Sequence, residues 1–409
     1  MVRKTLGFTA TGRVTQQVVE YLSQKSDISD FIENVNLLFD PQRHLDRESF
    51  GGSDTIKQKA QGRFDVAVCD TFEEFYKKSS MIIDSSADLG VNVPPFPEYL
   101  QPVLDGDYNP QQIFDQYVAA NTTKFKEENK RIPTDREDFE ERIKMAAKAS
   151  GIMTGMEREG HRFGPRLRQF FPFSLKMMVD RAGEIQGINE PGTRTEQDLP
   201  IYVVVTNEPC MVANILYTLN PPWRERIIAS SGVDRVRLLK EAFRVYQWDE
   251  RKIRNVEFTV AGIHDSGQRF PVINDPENSI PNKAILLDYL RQKLDQHYQT
   301  AVQASENPNE DLAQTLGDIS TAGINSIRCG LSFSPQESYL CDGFLQPEQG
   351  LFLTGEYRFR NGFVAVRSRT ETERSPEINR VVRTNRELFG RLQEEVIRPY
   401  LQKKMEGRK

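Results

Sequence analysis

Ser231-Gly-Val-Asp234-Arg-Val-Arg237 opens a helical run that continues Leu-Leu-Lys-Glu-Ala-Phe243. Downstream, Val256-Glu-Phe-Thr-Val-Ala-Gly-Ile-His264-Asp-Ser266 is β-branched and aromatic and ends in a polar turn. Asp234 and Arg237 stand three apart, so they share one face of the helix, and the second run reads as a strand that can deliver His264 to that face. A carboxylate can hold an imidazole in one tautomer and stabilise its protonated form. The imidazolium can exchange a proton with a carbonyl or hydroxyl oxygen, and the guanidinium can grip a carboxylate with two parallel hydrogen bonds. Singly, an Asp-x-x-Arg is more often a solvated pair and a histidine after a strand more often a structural hydrogen-bonder. Order and context give the combination its weight.

Working outward, Ile201-Tyr-Val-Val-Val-Thr-Asn207-Glu-Pro209 is a buried strand ending in Asn-x-Pro, followed by an apolar helix from Met211 to Leu219 and by Arg226-Ile-Ile-Ala-Ser-Ser-Gly232. The succession resembles the lactate/malate dehydrogenase family, in which a strand ends in Asn-Pro, a Leu-Asp-x-x-Arg helix follows, and a strand leads to Gly-x-His-Gly-Asp. Here one residue is inserted between Asn207 and Pro209, Val233 replaces the Leu, and Asp265 follows His264 directly. The resemblance implies an α/β chain: a Rossmann-like doubly wound parallel sheet over residues 1–208, with an insertion at 89–150, then a mixed α+β domain over 209–409. It also implies NAD as cofactor, a small-molecule 2-hydroxy or 2-oxo acid as substrate, and a homodimer or homotetramer. In such an enzyme His264 exchanges the proton, Asp234 orients it, Arg237 anchors the substrate carboxylate, and Asn207 holds the substrate carbonyl side or the nicotinamide ribose. No metal is required.

Composition bounds the remainder. With 409 residues, 38% apolar and 28% charged, the chain is long enough for two sizeable cores. No apolar run approaches the ~20 residues of a membrane span. The start, Met-Val-Arg-Lys-Thr-Leu-Gly7, enters a strand too soon for a signal peptide, so a cytoplasmic protein is expected. Cys69, Cys210, Cys329 and Cys341 are widely spaced and read as reduced, packed thiols. A net charge of −5 without a basic cluster argues against a nucleic-acid partner.

Taken in order, residues 3–8 form a strand, and Thr9-Ala-Thr-Gly12-Arg-Val-Thr15 turns into a helix from Gln16 to Ser23. In the family this turn is the dinucleotide loop, Gly-x-x-Gly-x-x-Gly. Gly12 keeps the middle position, while Thr9 and Thr15 take the outer ones, where their hydroxyls can contact phosphate; a shifted register lets Gly7 serve as the first. An ordinary strand–turn–helix fits the same residues. The second strand, Asn34 to Asp40, ends in an acid where the family hydrogen-bonds the adenosine ribose, and a carboxylate there favours NAD over NADP. A strand at Phe64–Cys69, a helix at Phe72–Lys78 and a strand at Ser80–Asp84 follow, an alternation that predicts a mostly parallel sheet.

Residues 89–150 interrupt the pattern. Phe114, Tyr117, Phe125 and Phe139 recur at near-helical spacing, so a structured insertion is expected near the cleft. Next, Gly151-Ile-Met-Thr-Gly155-Met156-Glu-Arg158 is similar to the family's mobile loop Arg-Lys-Pro-Gly-Met-x-Arg. That implies a carbonyl-polarising role for Arg158 and a substrate-selecting one for Ile152, whose apolar side chain favours monocarboxylic acids over oxaloacetate; Arg162, Arg166 or Arg168 supplies a cation if the loop is registered differently. Further on, Glu310 to Ile327 reads as an amphipathic helix that, by the resemblance, brings Thr321 to the substrate. Leu351–Tyr357 and Gly362–Val366 read as paired antiparallel strands, and Asn379–Lys404 as a closing helix. The competing class is a non-catalytic structural or assembly protein on the same scaffold, favoured by the altered glycine loop and the insertion.

Overall fold

The computed structural model describes residues 3–25, 29–38, 52–84, 105–116, 136–163, 165–188, 199–205, 227–229, 257–261, 270–274, 280–304, 355–360, 363–368 and 376–407. Shorter pieces join them, among them 102–103, 215–216, 241, 244–245, 323–324 and 327. In chain order the first elements are β1 (Lys4–Phe8), α1 (Arg13–Gln24), β2 (Ile32–Leu38), α2 (Gly52–Ala60), β3 (Asp65–Cys69), α3 (Phe72–Lys78) and β4 (Met81–Asp84). Then come α4 (Arg136–Arg158), α5 (Pro165–Ile188), β5 (Ile201–Val204), β6 (Ile227–Ala229), β7 (Glu257–Ala261), β8 (Phe270–Asn274) and α6 (Lys283–Ala304).

Strands β1 to β6 form one parallel sheet in the order β3-β2-β1-β4-β5-β6. β4 (Met-Ile-Ile-Asp) and β5 (Ile-Tyr-Val-Val) are buried at every position, as strands covered on both faces must be. One face packs Val18, Val19 and Leu22 of α1 and Ile56 and Ala60 of α2 against Leu6, Phe8, Val35, Ile83 and Val203. The other packs α3, α4 and α5 against Leu38, Ile82, Tyr202 and Val204. The sheet is therefore doubly wound, as expected, but it reaches Ala229, beyond the boundary expected at residue 208.

Gly7 lies inside β1, opposite Asn36 and Ile82, not in the turn. A Cβ there would stand 2.3 Å from Ser79 Oγ and 2.7 Å from Phe75 Cζ, so its glycine serves the close packing of α3 on β1. Cys69 is a free, buried thiol that burial pushes above its ordinary pKa, with Glu74 adding to the effect; that makes it a packed and unreactive group. The other three cysteines lie outside the described residues.

The expected mobile loop at 151–158 is instead the last two turns of α4. Ala149, Ile152, Met153 and Met156 recur at helical spacing and are buried, with Ile152 8% exposed. The helix stops at Gly160, whose φ of +97° only glycine adopts without strain, while His161 N–H bonds the Met156 carbonyl and Gly160 N–H that of Glu157. Ile152 thus packs in the core and Arg158 stands exposed on a rigid helix end. Both loop roles are corrected, and the preference for monocarboxylic acids loses its ground. Arg162 and Arg168 are exposed, Arg168 pairing with Glu157, and the side chain of Arg166 is outside the described residues.

The insertion carries a small core of its own: Ile113, Phe139, Ile143 and Phe173, with Phe114 edge-on to Phe139 at 5.5 Å. Phe173 belongs to α5, so this core fastens the insertion to the sheet layer. Tyr117 and Phe125 lie outside the described residues.

In the second half β7 and β8 form an antiparallel pair, as do β9 (Leu345–Gln346) with β10 (Gly350–Leu351) and β11 (Gly355–Arg360) with β12 (Phe363–Ser368). The closing helix is α7 (Pro376–Leu392), a π turn at Gln393–Ile397 and α8 (Arg398–Glu406). Pro399 cannot donate a helical hydrogen bond, and the widened turn, with Arg398 N–H on the Gln393 carbonyl, absorbs it. Leu388, Phe389, Leu392, Val396, Ile397 and Tyr400 return to the first half and join its core. Among the described residues no helix is long and apolar enough to cross a membrane.

Candidate functional site

In this strand order the direction of winding reverses between β1 and β4, and ligands of open α/β sheets bind in the crevice outside the carboxyl ends of the strands at that point. The turn from β1 into α1 forms its wall. Thr9 N–H bonds the Ile83 carbonyl at 3.1 Å, Thr15 Oγ1 donates to the Ala10 carbonyl at 2.7 Å, and the Gln16 side-chain amide donates to the Thr11 carbonyl at 3.1 Å. Short polar side chains thus hold the turn in one shape.

Gly12 is the N-cap of α1, in extended conformation, without a side-chain cap and without an acidic residue in the first turn. A Cβ added at Gly12 meets nothing within 4 Å. The helix N-terminus is open to close approach, and its first-turn N–H groups and positive dipole end suit an anion. The pyrophosphate of a dinucleotide fits this cradle on the backbone. The Thr9 and Thr15 hydroxyls do not serve as expected, because each has one proton and gives it to a protein acceptor: Thr9 to Asp84 Oδ1 at 2.8 Å, Thr15 to Ala10.

Asp84 was legible in the sequence only as a strand end. It is 5% exposed and accepts from two hydroxyls, Thr9 Oγ1 and, at 2.5 Å, Tyr202 Oη. The three residues stitch the carboxyl ends of β1 and β4 to β5. Its sequence signal was Tyr202, a phenol inside an otherwise aliphatic strand, which needs a buried hydrogen-bond partner. A carboxylate in the crevice wall opposes a pyrophosphate, although both its oxygens are turned to hydroxyl donors.

Asp40, Asn207, Asp234, Arg237, His264 and Thr321 lie outside the described residues. Their neighbours in the chain are placed. Leu38, Val205 and Ala229 end or follow β2, β5 and β6 at the carboxyl edge, two residues before Asp40, two before Asn207 and five before Asp234. Gly323, two after Thr321, sits against Val205, where an added Cβ would stand 2.8 Å from its Cγ1. Ile324 and Ile327 continue that contact into the sheet core. Ala261 ends β7, three residues before His264, and β7 packs against β11. Stretches leading to Asn207 and Thr321 therefore meet, whereas Ile152 is drawn into the core on the α3–α5 face.

Away from the crevice, oxygen and nitrogen atoms of Glu159, His161 and Glu387 lie within 4.8 Å of one another. Arg391 occupies both carboxylates, at 2.8 and 3.2 Å to Glu159 and 2.5 Å to Glu387, and His161 Nδ1 meets Thr384 Oγ1 at 3.1 Å. Arg391 thus bridges the two carboxylates, and the group joins the end of α4 to α7.

Neither the comparison with protein-family models nor that with curated proteins gives a match. Solved structures do resemble the chain. A lactate dehydrogenase enzyme from a Medee basin deep-sea metagenome library superposes with a TM-score of 0.55 at 12% identity, over 96% of this chain and 100% of that one. Lactate dehydrogenase from Eimeria maxima, solved with NADH and oxamate, gives 0.51 at 10% identity, over 96% and 94%. The chain is an α/β protein built on the fold of the lactate dehydrogenases.

Proposed function

We propose that the protein is an NAD-dependent 2-hydroxy acid dehydrogenase. The observation that carries the reading is the open, uncapped N-terminus of α1 behind Gly12 at the switch point of a six-stranded parallel sheet. The lactate dehydrogenase fold supports it, and the Eimeria relative was solved with NADH and oxamate. When bound, NAD supplies the hydride acceptor for C2 of the hydroxy acid. Backbone N–H groups from Gly12 to Thr15 hold the pyrophosphate, and Asp40 accepts from the ribose hydroxyls. Arg237 anchors the substrate carboxylate, Asn207 and Thr321 line the pocket, and His264, oriented by Asp234, takes the hydroxyl proton in oxidation and returns it in reduction. Arg158 and Ile152 have no part in this scheme.

Calorimetric titration with NADH, then NADH oxidation assayed with pyruvate, longer 2-oxo monoacids and oxaloacetate, tests the reading. Micromolar binding and turnover of any of these acids is the expected result. The buried Asp84 in the crevice wall favours a second reading, a non-catalytic scaffold, and a silent NADH titration would establish it.

A further inference from the structure

Two buried cations on α5 are treated in opposite ways. Lys176, 5% exposed, donates to Asp138 at 2.5 Å and to Asp180 at 2.7 Å, so its charge is matched by two carboxylates. Arg181 is more deeply buried, at 3% exposure, yet its Nε and Nη1 are sealed from solvent and bonded to nothing. Among the described residues its one carboxylate neighbour is Glu184, with Oε2 3.5 Å from Nε, without hydrogen-bond geometry, and itself half exposed. The guanidinium carbon lies 4.4 Å from the centroid of the Phe72 ring. A buried guanidinium with unbonded donors is strongly unfavourable, and the same helix shows at Lys176 how this protein otherwise satisfies such a charge.

The position suggests the missing partner. Phe72 opens α3 three residues after Cys69 ends β3, so the pair stands at the carboxyl edge of the sheet, two strands from the switch point. That edge is where α/β sheets receive ligands. The planar fork of arginine matches an oxyanion through two parallel N–H···O bonds, and an aromatic face beneath it holds the fork in plane. We propose that Arg181, backed by Phe72, is the receiving group of a small-oxyanion site, taking a phosphate or carboxylate through the donors left unbonded at Nε and Nη1. The site is separate from the Gly12 cradle and does not depend on the dehydrogenase reading.

Thermal unfolding of the full chain in chloride buffer, with inorganic phosphate or acetate added at matched ionic strength, tests it. At about ten times the dissociation constant the effective oxyanion should raise Tm by about 2 °C, with saturation. Comparing the two arms tells whether the site takes phosphate or carboxylate. Arg181→Met should unfold at the same or a higher temperature than wild type without oxyanion and lose the shift. Glu184→Gln, at an exposed position that leaves the fold intact, removes the competing carboxylate and should tighten the apparent affinity roughly threefold to tenfold. A wild-type Tm indifferent to both oxyanions, an equal shift in Arg181→Met, or an unchanged affinity in Glu184→Gln each overturns the proposal.

Discussion

Gly7 and Gly12 are separated by five residues and do opposite work. At Gly7 a methyl group collides with Ser79 and Phe75, so Gly7→Ala should destabilise the protein by about 1–3 kcal/mol in urea unfolding, the usual cost of overpacking. At Gly12 the space is empty, so Gly12→Ala should leave stability within about 0.5 kcal/mol while, on the proposed NAD reading, weakening NADH binding by placing a Cβ in the phosphate cradle. Equal NADH affinity in wild type and Gly12→Ala would remove Gly12 from the cofactor site. Tyr202→Phe deprives a buried carboxylate of one of its two hydroxyl donors and should cost about 1–3 kcal/mol. His264→Asn should abolish turnover in both directions with NADH binding retained; near-wild-type turnover in that variant contradicts its role as the proton donor. The roles of Gly12 and His264 are expectations from residue order, whereas those of Gly7 and Tyr202 could not be read there. Whether a glycine is needed for packing or for a ligand depends on what faces it, and that is a tertiary fact.

At the level of elements, helices α4, α5 and α8 are tied by one polar junction. Asp180 accepts from Lys176, from Tyr400 at 2.7 Å and from Lys404 at 2.5 Å, and Lys176 also holds Asp138. Burial pushes the Asp180 carboxyl up, but the hydrogen bonds from Lys176, Lys404 and Tyr400 outweigh it and hold it below its ordinary 3.8. A folded-state value below the unfolded one means that the junction contributes stability above about pH 4 and loses it as pH falls through the lowered value. Asp180→Asn should therefore lower Tm at pH 7 and lose less than wild type between pH 5 and pH 3; parallel acid limbs would show that the junction contributes no proton linkage. At the end of α4, Gly160→Ala places a Cβ at φ +97° and should cost about 1 kcal/mol by chemical denaturation. This turn is also where the sequence misled: Gly155-Met156-Glu-Arg158 has the composition of a mobile loop, yet the run of Ala149, Ile152, Met153 and Met156 beside it has helical spacing and a core to bury in. The tertiary burial overrode the local resemblance.

For the whole molecule, the closing helix is a long-range tie between the chain's end and its first half. Leu388, Phe389, Leu392, Val396, Ile397 and Tyr400 are all buried against the first half, each contributing about 1.5–3 kcal/mol. Together they match the ~5–15 kcal/mol net stability of a typical domain, so a chain ending at residue 375 should fail to give a cooperative unfolding transition. A sharp transition near the wild-type Tm would refute this. Much of the architecture was legible in the sequence itself. The alternation of Leu6–Phe8, Val35–Leu38, Met81–Ile83 and Ile201–Val204 with amphipathic helices leaves a doubly wound parallel sheet as the arrangement that buries them, because period-two and period-3.6 apolar patterns are local properties. The turn at Thr9–Thr15 followed from its position between the first strand and first helix. Only the tertiary structure decided that β6 extends the sheet past residue 208, that Gly7 answers to Phe75 and Ser79, and that Asp84 is held between Thr9 and Tyr202. It also decided that Ile152 belongs to the core and that Arg181 stacks on Phe72 without a matching anion. Those outcomes depend on contacts between residues far apart in the chain, and hydrogen bonding, close packing and charge compensation across such distances leave no mark on the spacing of neighbouring residues.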